Sequence, residues 1–149
     1  MTNGSLEGFE WDGTSEAKLC HKIFVVDDDE DFGKFALKLL KVNGYESEHF
    51  RNAFEFLSRL RTEIPDLIIL DIRMSWINGF DLARGIRKNP QLKDIPILMI
   101  TGYPTSEARF QGFKSGADAF LEKPFEAMEL IQLVQALIEN KKEQAPKDS

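Results

Sequence analysis

The stretch DLIILDIRMSWINGF, residues 66–80, decides the fold. It is apolar from Leu67 to Leu70 and then stops on Asp71. An unbroken aliphatic run of this length describes a strand buried on both faces, because a strand with one wet face would alternate. A carboxylate at the end of such a strand is costly unless something there requires it. What surrounds Asp71 is therefore the question the rest of the chain has to answer.

Working outward, the same pattern returns. KIFVV (22–26), IPILMI (95–100) and DAFL (118–121) read as buried strands, Pro65 marks the start of the 66–70 run, and YESEHF (45–50) alternates weakly, as an edge strand does. Between them the apolar period changes to that of a helix. Residues 30–42 carry Phe32, Phe35, Ala36, Leu39 and Leu40, with Gly44 where a helix ends. Residues 52–61 align Ala53, Phe56, Leu57 and Leu60, and residues 79–88 align Phe80, Ala83 and Ile86 before Asn89-Pro90 stops them. Residues 105–115 are helical around Ala108, Phe110 and Phe113 and close at Gly116. Residues 125–140 set Ala127, Ile131, Val134 and Ile138 on one face. Phenylalanines at these spacings read as core. Five strand–helix pairs in strict alternation predict an α/β fold, a parallel sheet with helices on both faces.

The chain has 149 residues, 42% hydrophobic and 30% charged, which is enough for one core. Its formal net charge is −6 and it has no long Lys/Arg run, so a nucleic-acid backbone is a poor partner and another protein a better one. No apolar run approaches the roughly 20 residues that cross a bilayer. The start, MTNGSLEGFEWDG, carries acids where a secretory signal is basic and then apolar, so a cytoplasmic location is expected. Cys20 is the single cysteine and reads as a small hydrophobe. Residues 1–20 read as a flexible extension, residues 21–140 as the domain and residues 141–149 as a polar tail that frays. His21 and His49 read as surface residues, and Trp76 as part of the loop after Asp71.

In a parallel sheet of this kind ligands sit at the carboxyl ends of the strands. The first strand delivers Asp27, Asp28 and Asp29 there, the third Asp71, the fourth Thr101, and the fifth Glu122, Lys123 and Pro124. Taken singly, each has a plain structural use: Asp29 as a helix N-cap, Asp71 capping the loop beyond it, Thr101 capping the helix near 105, Lys123 as a solvated charge. Taken together, the acids suit a hard divalent cation such as Mg2+, which is held by one or two carboxylates plus phosphate oxygens. An aspartate can accept a phosphoryl group, and such transfer needs mainly positioning and charge neutralisation. The ion, Thr101 Oγ and Lys123 are suited to the three phosphoryl oxygens.

The series VVDDDED (25–31), LIILDIRM (67–74), ILMITG (97–102) and FLEKPF (120–125) resembles the receiver domain of two-component response regulators, over roughly residues 21–140. The resemblance implies a flavodoxin-like, doubly wound five-stranded sheet of order 2-1-3-4-5 with five helices. It implies Asp71 as the phospho-acceptor, with Asp28 a direct Mg2+ ligand, Asp27 acting mainly through water, and Arg73 supplying a backbone carbonyl. It implies Thr101 as the hydroxyl that moves with the phosphoryl group, Lys123 as the lysine before a proline often in a cis bond, and Phe120 as the aromatic switch. It also implies a histidine kinase or phosphotransfer protein as donor and a protein target on the 105–140 surface, with no enzymatic activity beyond the domain's own phosphorylation and dephosphorylation. Ser75 departs from the family's common proline, and Arg73 and Tyr103 are large at two positions that tune the lifetime of the phosphate. Two other readings compete. One is a receiver-like interaction module that works without phosphate. The other is an aspartyl-nucleophile hydrolase of the haloacid-dehalogenase kind, which wants a second Asp where this chain has Arg73.

Overall fold

Lys22–Val26 forms β1, Glu46–Phe50 β2, Leu67–Asp71 β3, Ile97–Thr101 β4 and Ala119–Glu122 β5. Between and after them run helices α1 (Glu30–Val42), α2 (Ala53–Leu60), α3 (Gly79–Lys88), α4 (Ser106–Ser115) and α5 (Ala127–Lys147). The computed structural model describes residues 20–74, 77–102 and 104–147, with side chains as far as Asn140. The N-terminal extension, Ser75, Trp76 and Tyr103 lie outside the described residues. The five strands are all parallel, in the order β2-β1-β3-β4-β5, as the resemblance implies.

Local chemistry sets the boundaries. Asp29, Asn52, Asn78 and Thr105 sit in extended conformation at helix N-caps and accept from backbone N–H groups of the first turns. Gly116 ends α4 in the left-handed region, at φ 119, where a side chain would be strained. Above and below the sheet lie two cores. Phe24, Phe50, Phe56, Ile68, Leu70, Ile86, Ile97 and Met99 form one beneath α2, α3 and α4. Ile23, Val25, Leu40, Ile69, Leu98, Ile100, Ile131 and Val134 form the other beneath α1 and α5. β1, β3 and β4 alternate between the two, which is why their sequences are continuous apolar runs.

Three expectations need correction. Phe110 and Phe113 on α4, Phe35 on α1 and Leu57 on α2 are exposed rather than core. On α4 the reason is visible: the buried positions are Gly112 and Ser115, small groups that bring the helix down close to the sheet edge. A Cβ on Gly112 would lie 3.2 Å from the ring of Phe120 and 3.3 Å from Met99 Sδ. The helix thus meets the sheet through its small residues and turns its aromatics outward. Second, α5 does not stop at residue 140 but continues to Lys147; Lys141, Lys142, Glu143, Gln144 and Ala145 are good helix formers, and Pro146 falls in its last turn. Third, His21 and His49, read as surface residues, are both half-buried. Among the described residues no helix is long and apolar enough to cross a membrane.

One guanidinium ties the far edge of the sheet together. Arg87 donates to the carbonyls of Gly116 (2.8 Å), Lys93 (2.8 Å) and Ile95 (2.7 Å) and to Asp118 Oδ2 (2.8 Å). Asp118 Oδ2 also accepts from the Ile97 N–H at 2.8 Å. Arg87→Ala removes donors from several partly buried acceptors at once. We expect it to lower unfolding free energy by about 2 kcal/mol in urea titrations. Arg87→Lys should recover little, because one ammonium cannot span the same acceptors. A lysine variant as stable as the parent would show that the charge, not the fork, matters.

Candidate functional site

Parallel pairing places all strand carboxyl ends on one edge, and register decides which residues become neighbours there. Val26 pairs with Leu70, so Asp27 and Asp71 emerge side by side. Asp71 pairs with Ile100, which sets Thr101 one step beyond. Thr101 pairs with Glu122, and Lys123 comes next, its N–H donating to the Thr101 carbonyl at 2.7 Å. The Lys123–Pro124 peptide bond is cis.

These steps bring together the acids singled out in the sequence. Asp27, Asp28 and Asp71 each offer a carboxylate oxygen, and the three oxygens lie within 4.8 Å of one another. Asp27 is fully buried and Asp71 nearly so. Every polar group of Asp27 is engaged. Oδ1 accepts from the Asp29 N–H at 2.9 Å and Oδ2 from Lys123 Nζ at 3.0 Å. Its own N–H donates to the Phe50 carbonyl at 3.1 Å, and its carbonyl lies 2.7 Å from His49 Nε2. The Lys123 ammonium also lies 4.5 Å from the centre of the Phe32 ring, a favourable cation–π placement.

Burial, and then the charge of Asp27, push the Asp71 carboxyl up to about 7, against the opposing pull of Lys123 and of the Arg73 N–H that donates to it. The structure therefore places the backbone of Arg73 directly at Asp71. Thr101 is buried at the end of β4 and, with Ile72, Arg73, Met74 and Phe80, lines a cavity of about 550 Å³ between the starts of α3 and α4. Phe120 is buried beneath α4, with the Arg109 guanidinium 4.7 Å from its ring centre and paired with Glu122.

Two contributors were not singled out by sequence reasoning. Gly79 opens α3 against the end of β3, where a Cβ would lie 2.7 Å from the Asp71 carbonyl. Gly33 lies inside α1 facing His49. A glycine within a helix interior, which costs about 1 kcal/mol against alanine, was the available signal.

The fold and the acidic pocket at its carboxyl edge define the class of doubly wound α/β proteins whose ligands bind at the strand ends. Residues 23–135 match the family model of the response regulator receiver domain, and the chain belongs to that family. It is 33% identical over 121 residues to the phosphate regulon transcriptional regulatory protein PhoB of Rhizobium meliloti, covering 81% of this chain and 53% of that one. It is 32% identical over 117 residues to the DNA-binding dual master transcriptional regulator RpaA of Synechocystis, covering 78% of this chain and 48% of that one. The chain thus spans about half the length of these curated relatives. Among solved structures, a CheY-like receiver domain protein from Methanospirillum hungatei superposes with a TM-score of 0.78 at 26% identity, over 84% of this chain and 98% of that one. Chemotaxis protein CheY4 of Vibrio cholerae gives 0.75 at 30% identity, over 79% and 98%.

Proposed function

We propose that this receiver domain accepts a phosphoryl group on Asp71, from a histidine kinase or phosphotransfer protein, and alters its 105–140 surface to control a protein partner. The observation that carries the reading is the pocket of Asp27, Asp28 and Asp71, whose carboxylate oxygens lie within 4.8 Å of one another with Lys123 alongside. The donor set fits Mg2+: the three donors are hard oxygens, and in an octahedral shell opposite oxygens stand about 4.2 Å apart. Asp27, Asp28 and Asp71 would hold the ion, with the Arg73 backbone carbonyl as a further ligand. When bound, the ion neutralises charge on the phosphoryl oxygens and on the acids around them.

The residues divide the chemistry between them. An oxygen of Asp71 forms the new bond to phosphorus as the bond to the donor's imidazole nitrogen breaks, and the imidazole leaves with a proton from solvent. Lys123 offers its ammonium to one phosphoryl oxygen and Thr101 its hydroxyl to another. The adduct carries about −1.5 to −2 of charge where the carboxylate carried −1, and spreads it over three oxygens beyond the end of β3. Thr101 is drawn toward it, and Phe120, lying under α4 with Arg109 over its ring, repacks with the face formed by α4, β5 and α5.

The test is direct. Incubation with acetyl phosphate and Mg2+, then intact-mass measurement, should show one added phosphoryl group. The adduct should be absent in Asp71→Asn and after Mg2+ is chelated. An unmodified parent protein would leave an interaction module that works without phosphate, and steady phosphate release without an adduct would indicate a hydrolase.

A further inference from the structure

We infer that His49 is a positioning residue of the acidic pocket, holding the Asp27–Asp28 peptide through a notch that Gly33 leaves in α1. This rests on the proposed metal-binding role of Asp28. The geometry is specific. His49 projects from β2 toward α1, and its Nε2 lies 2.7 Å from the Asp27 carbonyl oxygen. A carbonyl only accepts, so Nε2 carries the hydrogen and donates. The ring occupies the space where a side chain at position 33 would begin. A Cβ on Gly33 would lie 2.2 Å from both Cε1 and Nδ1 of His49, far inside contact distance. Imidazole and missing side chain are therefore one device.

The bond matters because of which peptide it holds. The Asp27 carbonyl belongs to the plane that leads into Asp28, so its tilt sets the direction in which Asp28 departs. Asp27 itself is fixed by Asp29, Lys123 and Phe50. Its carbonyl is a further handle on the peptide, and His49 takes it. Partners that orient ligands in this way influence metal affinity by about 10–100-fold in other proteins.

The test uses the full chain and Mg2+ alone, titrated by calorimetry, with the His49 ring monitored by long-range 1H–15N NMR. In the parent, the ring should be the Nε2–H tautomer with a slowly exchanging proton whose shift moves as Mg2+ is added. His49→Leu should weaken Mg2+ binding by about tenfold. His49→Gln, whose amide nitrogen can reach the same carbonyl, should recover most of it. Gly33→Ala, which leaves the imidazole present but displaces it, should weaken binding as the leucine does. A Leu variant with parental affinity, or a parent ring in the Nδ1–H tautomer, overturns the inference. Should the leucine variant fail to fold, Gly33→Ala and the ring tautomer decide alone. A parent chain that binds no Mg2+ overturns the metal reading as well, which separates the two failures.

Discussion

Asp71→Asn will make the metal-free protein more stable at pH 8, and the gain will vanish near pH 4. In the fold Asp71 binds its proton up to about pH 7, because burial and then the neighbouring Asp27 disfavour its charge. In the unfolded chain the same group ionises near 3.8. Between those values the folded state holds a proton that the unfolded state has lost, so stability falls as pH rises through the window. Above it both states are ionised and the cost is complete and constant. Below it both are neutral and the group contributes nothing. The cost is at most about 4 kcal/mol, and about 2 kcal/mol once solvent at the pocket mouth is allowed for. Asparagine never ionises and never bears it. Thermal melts at pH 8 should rise by roughly 5–8 °C, with the difference closing toward pH 4. Saturating Mg2+ should reverse the order, since an ion that binds the folded parent stabilises it by mass action. A gain of equal size at pH 4 and pH 8 would mean that packing, not ionisation, separates the two side chains.

Lys123→Met should destabilise the metal-free protein by about 3 kcal/mol near neutral pH. Methionine retains the length of the stem but removes the ammonium that lies 3.0 Å from Asp27 Oδ2. Asp27 is fully buried, so its carboxylate is left with the Asp29 N–H and the Asp71 carboxyl and without its cation. Uncompensated buried charge is the expensive outcome; an exposed pair of the same length would be worth a fraction of this. The same substitution removes a positive charge from beside the three acids, and Mg2+ should then bind several-fold more tightly. Urea titrations with and without Mg2+ check both halves. The deficit should be large without the ion and small with it, because the ion supplies the missing positive charge. A deficit that Mg2+ leaves unchanged would assign Lys123 to packing over Phe32 instead. Phosphoryl transfer to Asp71 should still be impaired, since no other ammonium pairs with Asp27 among the described residues.

The five strands and the acidic rim were legible because both depend on local signals, whereas the order 2-1-3-4-5 came only through the family resemblance. Continuous aliphatic runs mark strands covered on both faces, and the residue after each run must appear at the sheet's carboxyl edge. Hence Asp27, Asp71, Thr101 and Lys123 could be grouped before any distance was known. The exposed faces of the helices were less legible. Phe110 and Phe113 have helical spacing, but periodicity does not say which stripe the sheet covers, and on α4 Gly112 and Ser115 face inward. His49 was illegible for a related reason. Its partners, Asp27 and Gly33, belong to other elements, and a lone histidine in an edge strand carries no local mark of a contact made across the fold.

By itself, then, the sequence determined the alternation of five strands with five helices and the kinds of side chain that collect at one rim, because hydrophobic period and capping chemistry are properties of neighbouring residues. The tertiary structure alone decided that three carboxylates stand within 4.8 Å of one another, that Lys123 compensates Asp27, and that His49 fits where Gly33 has no side chain. Those outcomes are through-space distances between residues far apart in the chain. Coulombic and steric energies depend on such distances, not on order along the sequence.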